Sequence, residues 1–212
     1  MYDRGQHLTM RDGVVNYYYR LLEKFLRPIV KRSVSPAVIS IFSLLISIAA
    51  AVFYSFGMMF WGGLFLILSG FADTLDGTVA RLSGKVSKFG ALLDSSLDRW
   101  SDFVVYAGLL LYYRECTVFY AVLLSIIGSF MVSYVKARAE SLGTIRIVGL
   151  MQRPERLLLL AAASLIAPFV DMVAPAYGDA PLVAILWFMA ILTNVTALHR
   201  LFSAKRDLSG QE

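Results

Sequence analysis

Charged residues are scarce in this 212-residue chain, and cysteine is almost absent. Lys, Arg, Asp and Glu make up 17% of the sequence and hydrophobic residues 58%, whereas average soluble domains contain about 25% charged residues. The single cysteine, Cys116, excludes an internal disulfide and lacks the Cys and His neighbours of a structural zinc site. These absences argue against a soluble domain, a disulfide-stabilised fold and a zinc-stabilised fold.

Long apolar segments account for most of the chain. No charged residue occurs between Ser33 and Ala72, a stretch long enough to cross a bilayer twice as α-helix. The pattern predicts six spans, at residues 36–56, 59–82, 90–113, 117–140, 154–174 and 181–202. We therefore expect an all-α, polytopic membrane protein in which one domain, residues 36–202, contains all six transmembrane helices.

The segment from Thr9 to Ile29 separates apolar and charged side chains at helical spacing. Val14 and Leu21 share one face, whereas Arg20 and Lys24 lie on the other. This pattern is typical of an amphipathic helix that lies along a membrane surface. Packing of the helix on protein is the alternative.

Basic residues are unevenly distributed between the predicted loops. Of the 20 Lys and Arg residues, seven precede the first span, three surround the connection between spans two and three, five lie between residues 136 and 156, and three lie at the C-terminal end. Only Arg114 falls in a loop on the other side. The positive-inside rule then places residues 1–35, residues 203–212 and both basic loops in the cytoplasm, in a prokaryotic-type membrane. Since the net charge of +5 follows from this topology, we expect no nucleic-acid partner.

Four aspartates interrupt predicted spans two and three. Asp73 and Asp76 are three residues apart, and Asp94 and Asp98 are four apart, so each pair shares a helix face. Ionisable groups inside a membrane are costly and usually functional. The short connection between the spans brings both pairs to a similar depth, where they suit two divalent ions, Mg²⁺ or Mn²⁺, that would bind a diphosphate.

Small residues and one arginine accompany these carboxylates. Gly77 and Ala80 leave the surface of span two without large side chains, and Gly90 does the same at the start of span three. Arg81 can bind phosphate oxygens in bidentate fashion. We interpret this surface as a nucleotide-binding site, with helix packing as the alternative reason for the small residues.

The combined pattern resembles the signature of the CDP-alcohol phosphotransferases. All eight fixed positions are present, namely Asp73, Asp76, Gly77, Ala80, Arg81, Gly90, Asp94 and Asp98. The resemblance implies a six-helix fold, usually homodimeric, with a polar cavity open to the cytoplasm. It also implies an enzyme that moves a phosphoalcohol group from a CDP-lipid to an alcohol and releases CMP.

Residue roles follow from the same resemblance. The metal ligands would be Asp73, Asp76, Asp94 and Asp98, of which Asp98 would also be the general base. The CDP group would bind at Asp73, Gly77, Ala80, Arg81 and Gly90. The signature gives Asp102 no role, and we expect this residue to pair with a nearby cation such as Arg99.

One departure from the family pattern lies just before span one. Many members have Thr-Pro-Asn-x-Val-Thr at this place, whereas here the run is Ser35-Pro36-Ala37-Val38-Ile39-Ser40. Ala37 cannot provide the side-chain amide of the family's Asn. A nucleotide or dimer contact made by that amide is therefore not expected in this chain.

A second group of polar residues lies around predicted spans four and five. Its members are Ser133, Lys136, Arg138, Arg153 and Arg156. Because arginine matches phosphate geometry, this excess of positive charge favours a phosphorylated acceptor, with ordinary positive-inside charge as the alternative. Arg200 is a further candidate for the same cavity.

Residues 133–140 and 153–157 resemble the corresponding strings of the phosphatidylinositol-phosphate and archaetidylinositol-phosphate synthases. That subfamily resemblance implies inositol 1-phosphate as the acceptor, held by the matching Ser, Lys and Arg residues. The same chemistry with glycerol 3-phosphate is the alternative.

Two other classes of protein also place carboxylates in membranes. An intramembrane prenyltransferase binds Mg²⁺-diphosphate, but six spans are few for one and its aspartate motifs lie far apart, whereas Asp76 and Asp94 are close in sequence. A divalent-cation transporter uses buried carboxylates as an ion pathway. Arg81 argues against a transporter, because a fixed positive charge repels a permeating cation.

Overall fold

The computed structural model describes residues 35–144, 149 and 151–209, and all regular structure within these ranges is helical. The six long helices are α1 (Pro36–Ser55), α2 (Met59–Leu82), α3 (Lys88–Tyr112), α4 (Val118–Ser141), α5 (Arg153–Val173) and α6 (Ala180–Ser209), and a 3₁₀ turn (Pro175–Tyr177) precedes α6. The all-α prediction is confirmed. The predicted amphipathic helix between Thr9 and Ile29 lies outside the described residues. Helix α6 continues past the predicted end of the sixth span at residue 202, because a helix need not end where the bilayer does.

Local sequence determines where these helices begin and turn. The Ser87 hydroxyl accepts a hydrogen bond from the Gly90 amide at 2.9 Å and so caps the N-terminus of α3. Gly84, in the turn between α2 and α3, has a φ of 66°, a left-handed conformation that favours glycine. This tight turn makes α2 and α3 antiparallel and brings their aspartates to the same end of the molecule.

Five of the six helices are long and apolar enough to cross a membrane. The exception is α3, which has the length of a span but contains Asp94, Asp98, Arg99 and Asp102. Helix α3 packs on α1 and α4, α2 on α1 and α5, and α6 on α4 and α5. The chain is therefore a multi-pass membrane protein, and its most polar helix is the one that contains the predicted catalytic carboxylates.

Small residues allow close approach between the helices. A Cβ on Gly108 of α3 would contact the backbone of Ala51 of α1, and a Cβ on Gly128 of α4 would contact Thr193 of α6. Between α1 and α2 the contact is polar, since the Ser47 and Ser69 hydroxyls lie 2.6 Å apart in a buried position. Small residues and interhelical hydrogen bonds of this kind are the usual means of helix association in lipid.

The two ends of the helix bundle differ in chemistry. The end where α2 finishes and α3 and α5 begin holds the aspartates and most of the described cations. At the other end, the Tyr112 and Tyr113 hydroxyls donate hydrogen bonds to Asp179 at 3.0 and 3.3 Å, which fastens the end of α3 to the start of α6.

Candidate active site

Three carboxylates meet at the polar end of the bundle. Asp73 and Asp76 lie about one turn apart on the same face of α2, and Asp94 comes from the first third of α3. One oxygen from each of the three side chains lies within 4.8 Å of the others. Asp76 is buried, whereas Asp73 and Asp94 are half-buried. Three converging carboxylate oxygens are the donor set that Mg²⁺ and Mn²⁺ prefer, so the residues fit the predicted metal.

Ser40 of α1 supports this carboxylate group. Its hydroxyl donates a hydrogen bond to the Asp76 carboxylate, and both side chains are buried. In the sequence, Ser40 is notable only as part of a run that departs from the family pattern, and no role is predicted for it. The signal that could have identified Ser40 is its hydroxyl, which occupies the last position of that run, where many members have Thr.

Asp98 lies one turn further along α3, outside the group of three. Its Oδ1 is 2.8 Å from Nη1 of Arg153, and the same Nη1 donates to Oδ2 of Asp73 at 2.7 Å. Arg153 therefore bridges the metal-ligand candidate Asp73 and the general-base candidate Asp98. The roles of Asp98 as metal ligand and as base remain predictions.

A cavity beside the three carboxylates matches the predicted nucleotide site. Its lining includes Pro36, Ala37, Ser40, Asp76, Gly77, Ala80, Arg81, Lys85, Gly90 and Asp94. A Cβ on Gly77 would approach only Arg81, at 3.5 Å, and one on Gly90 only Ser87, at 3.1 Å, among the described residues. Neither glycine is needed for packing against another helix, which favours the interpretation that they keep the cavity open. Asp73, also predicted for this site, lines a neighbouring groove with Arg153 instead.

A second cavity contains the predicted acceptor residues. Its lining is Arg99, Val132, Ser133, Lys136, Gln152, Arg153, Pro154, Arg156 and Arg200. Four helices contribute, and the structure brings together every predicted acceptor residue except Arg138. Within the described part of the chain, Arg138 is exposed outside this lining and its Nη1 lies 3.4 Å from the Ser141 hydroxyl. Arg200, a lesser candidate from the sequence, is almost fully buried in the cavity wall.

Asp102 connects the arginines of the second cavity. Its Oδ1 accepts a hydrogen bond from Nε of Arg153 at 3.1 Å, and its Oδ2 accepts one from Nη2 of Arg156 at 2.9 Å. The expectation that Asp102 forms a pair with a cation is confirmed, but its partners are Arg153 and Arg156, and Arg99 is not among them in the described structure. Arg99 instead donates to the Ser95 carbonyl and lies 3.6 Å from Asp98.

Comparison with known proteins agrees with this geometry. The family model of the CDP-alcohol phosphatidyltransferases matches residues 33–201. The chain is 35% identical over 198 residues to a phosphatidylinositol phosphate synthase of Streptomyces avermitilis, covering 90% of this chain and 80% of that protein. It is also 35% identical over 193 residues to an archaetidylinositol phosphate synthase of Methanothermobacter thermautotrophicus, covering 91% and 94% of the two chains.

The chain belongs to the CDP-alcohol phosphatidyltransferase family. Its fold matches the crystal structure of the Mycobacterium tuberculosis phosphatidylinositol phosphate synthase with CDP-DAG bound, with a TM-score of 0.78 and 30% identity over 87% of this chain and 94% of that one. A structure of the same synthase with manganese and citrate also has a TM-score of 0.78, at 29% identity over 87% and 88% of the two chains.

Family membership makes the chain a transferase of phospholipid synthesis that acts on a CDP-lipid and an alcohol, with a divalent metal as cofactor. Family membership also argues against the two other protein classes considered from the sequence, an intramembrane prenyltransferase and a divalent-cation transporter. A prenyltransferase and a cation transporter both explain clustered carboxylates, but neither explains the family match over the six described helices.

Proposed function

We propose that this enzyme transfers the phosphatidyl or archaetidyl group of a CDP-lipid to inositol 1-phosphate and releases CMP. The observation that supports the proposal is the presence of two chemically different cavities at the polar end of the bundle. One cavity has the carboxylates and small residues suited to a nucleotide diphosphate, and the other is lined by five cations and so suits a phosphorylated acceptor.

The nucleotide cavity would hold the donor. Asp73, Asp76 and Asp94 would hold two divalent ions, which supply neutralisation of the diphosphate and polarisation of its phosphorus. Gly77, Ala80 and Gly90 would leave room for the CDP group, and Arg81 would bind its phosphate oxygens. Ser40 would hold Asp76 in the orientation that a metal ligand needs.

Asp98 would act as the general base. It is one helical turn from Asp94, which lines the nucleotide cavity, and its carboxylate touches Arg153, which lines the acceptor cavity. The acceptor hydroxyl would lose its proton to Asp98, its oxygen would bond to the lipid-bearing β-phosphorus, and the bond from that phosphorus to CMP would break. All atoms of the acceptor except this proton would remain in the lipid product.

The acceptor cavity would bind the phosphate of inositol 1-phosphate. Ser133 and Lys136 from α4 and Arg153 and Arg156 from α5 face one space with Arg200 of α6. The names of the Streptomyces and Methanothermobacter relatives, one a phosphatidylinositol and the other an archaetidylinositol phosphate synthase, support this acceptor. Arg138 would contribute from outside the cavity wall.

Both termini and the active site would face the cytoplasm, since the basic residues concentrate at that end of the bundle.

The active form would be a homodimer, as the family resemblance implies. Helix α3 exposes the apolar side chains Trp100 and Phe103, which are suitable for a contact between subunits. Light scattering in detergent would test the dimer.

One assay tests the proposed reaction. Purified protein is incubated with Mg²⁺ or Mn²⁺, with CDP-diacylglycerol or CDP-archaeol, and with inositol 1-phosphate, free inositol or glycerol 3-phosphate, and CMP release is measured. We expect release with inositol 1-phosphate, little with free inositol, and none in excess EDTA. Equal use of free inositol, or a preference for glycerol 3-phosphate, would contradict the acceptor assignment, and full activity in EDTA would contradict the metal assignment.

A further inference from the structure

Asp102 is a buried carboxylate without a place in the mechanism described above. It lies on α3 one turn beyond Asp98 and is 8% exposed. It does not belong to the group of three carboxylates that converge in the described structure. A charge so deeply buried is costly unless it is paired, so its partners indicate what it does.

Both carboxylate oxygens of Asp102 accept hydrogen bonds from arginines of α5. Oδ1 accepts from Nε of Arg153, and Oδ2 accepts from Nη2 of Arg156, which is only 3% exposed. The two arginines are three residues apart and therefore adjacent on the first turn of α5. A single carboxylate thus fixes the planes of two neighbouring guanidinium groups.

The nitrogens that Asp102 does not use are the ones available for other contacts. Nη1 of Arg153 reaches Asp73 and Asp98. Nη1 of Arg156 is buried at the wall of the acceptor cavity and has no hydrogen-bond partner among the described residues, and the same is true of Nε of Arg200. A buried donor without a partner costs free energy, and a phosphate oxygen in the cavity would remove that cost.

We infer that Asp102 is a positioning residue for the acceptor, an inference that rests on the proposed function. It holds Arg153 and Arg156 so that the acceptor phosphate binds in one orientation, with the reacting hydroxyl directed at Asp98. Asp102 touches neither substrate. Its loss therefore weakens binding of the acceptor through the two arginines and leaves the nucleotide cavity intact.

The test is the effect of Asp102→Asn on the two KM values. The variant keeps the shape of the side chain but removes its charge and one acceptor oxygen. We expect the KM for inositol 1-phosphate to rise about 10- to 100-fold, the usual weight of hydrogen bonds to charged groups, while the KM for the CDP-lipid stays within about twofold. Titration of the purified protein with inositol 1-phosphate should show the same loss of affinity.

The matched control is Asp179→Asn at the opposite end of the bundle. Asp179 also accepts hydrogen bonds from two side chains on another element, Tyr112 and Tyr113. This variant loses a structural carboxylate but should leave both KM values unchanged. If it raises the acceptor KM as much as Asp102→Asn does, the inference is overturned.

A double-mutant cycle distinguishes positioning from a general loss of stability. If Asp102 acts through Arg156, Asp102→Asn should add little to the acceptor KM of an Arg156→Gln enzyme. Fully additive effects would overturn the inference. If Asp102→Asn does not yield folded protein, Asp102→Glu takes its place. The longer side chain keeps the negative charge but displaces both guanidinium groups. We again expect a change in the KM for the acceptor and none in the KM for the CDP-lipid.

The wild-type enzyme separates this inference from the proposed function. No preference of the wild type for inositol 1-phosphate over free inositol would overturn both. A clear preference that survives unchanged in Asp102→Asn would overturn only the role of Asp102.

Discussion

Asp98 is the residue on which the proposed chemistry depends most. It lies next to the group of three converging carboxylates without belonging to it, and it touches Arg153. Asp98→Asn keeps the shape of the side chain but removes its basicity. We expect kcat to fall on the order of 10² to 10⁴, the usual weight of general-base catalysis, while the affinities for metal and CDP-lipid stay near the wild-type values. Single-turnover kinetics together with nucleotide binding would measure both.

Asp73→Asn is the comparison for this prediction. Asp73 belongs to the converging group of three, so its variant should lose metal affinity and turnover together. If Asp98→Asn behaves in the same way as Asp73→Asn, Asp98 is chiefly a metal ligand, and another group must accept the proton.

Ser40 is the residue that holds Asp76. Loss of a group that orients a metal ligand commonly costs 10- to 100-fold in metal affinity. Ser40→Ala should therefore weaken Mn²⁺ binding by about that factor, whereas Ser40→Thr should preserve it because the hydroxyl remains. Calorimetric titration with Mn²⁺ measures the affinity without recourse to turnover.

Ser47→Ala is the matched control for Ser40. Ser47 lies on the same helix and bonds to Ser69 across the same interface, but it does not touch Asp76. An equal loss of Mn²⁺ affinity in Ser47→Ala would show that the helix interface, and not the Ser40 hydroxyl, determines metal binding.

Residue roles could be predicted where local spacing determines them. Asp73 and Asp76 share one helix, and the short connection to Asp94 brings all three together. The partners of Asp76 and Asp102 could not be predicted, since Ser40 and Arg156 come from other helices and no spacing along the chain relates them. Asp102 does pair with cations, as expected, but with Arg153 and Arg156 of α5 and not with its sequence neighbour Arg99.

At the scale of elements, the close contact between α1 and α3 fixes the depth of the carboxylates. A Cβ on Gly108 would lie against the carbonyl oxygen of Ala51 and 2.7 Å from its Cα. Backbone atoms cannot move aside as a flexible side chain can. We expect Gly108→Ala to destabilise the protein by about 1 to 3 kcal/mol, as overpacking usually does, and to lower the apparent Tm in detergent by several degrees.

Gly70→Ala provides the matched control on another span. A Cβ on Gly70 would lie 3.7 Å from the Leu157 side chain, an ordinary van der Waals contact. Both substitutions gain the same helix propensity, so the difference between their Tm values isolates the steric effect. Similar Tm values would mean that α1 and α3 separate easily at this point.

The helices differ in how far the sequence could predict them. The apolar helices follow directly from hydropathy, and the predicted bounds of the second span, 59–82, agree with Met59–Leu82. Helix α3 is too polar for a hydropathy criterion, because Asp94, Asp98, Arg99 and Asp102 lie among its apolar residues. The later end of α6 could not be predicted, because helical hydrogen bonds continue into the aqueous phase.

At the scale of the whole molecule, the charge asymmetry between the two ends predicts an orientation in the membrane. The active site would face the cytoplasm, where CDP-lipid headgroups and a phosphorylated, water-soluble acceptor are both accessible. The acceptor's charge prevents it from crossing the bilayer unaided. A site on the other side would require export of the acceptor, so the orientation is a condition of the proposed function.

The single cysteine makes this orientation measurable. Cys116 is exposed in the connection between α3 and α4, at the end opposite the active site. In intact cells a membrane-impermeant maleimide should label Cys116 fully.

The complementary variant combines Cys116→Ser with Ser141→Cys, which moves the thiol to an exposed position at the end of α4. That thiol should react only after the membrane is permeabilised. Because both reporters are exposed single thiols, a difference in labelling reports the side of the membrane, and the opposite pattern would place the active site outside the cytoplasm.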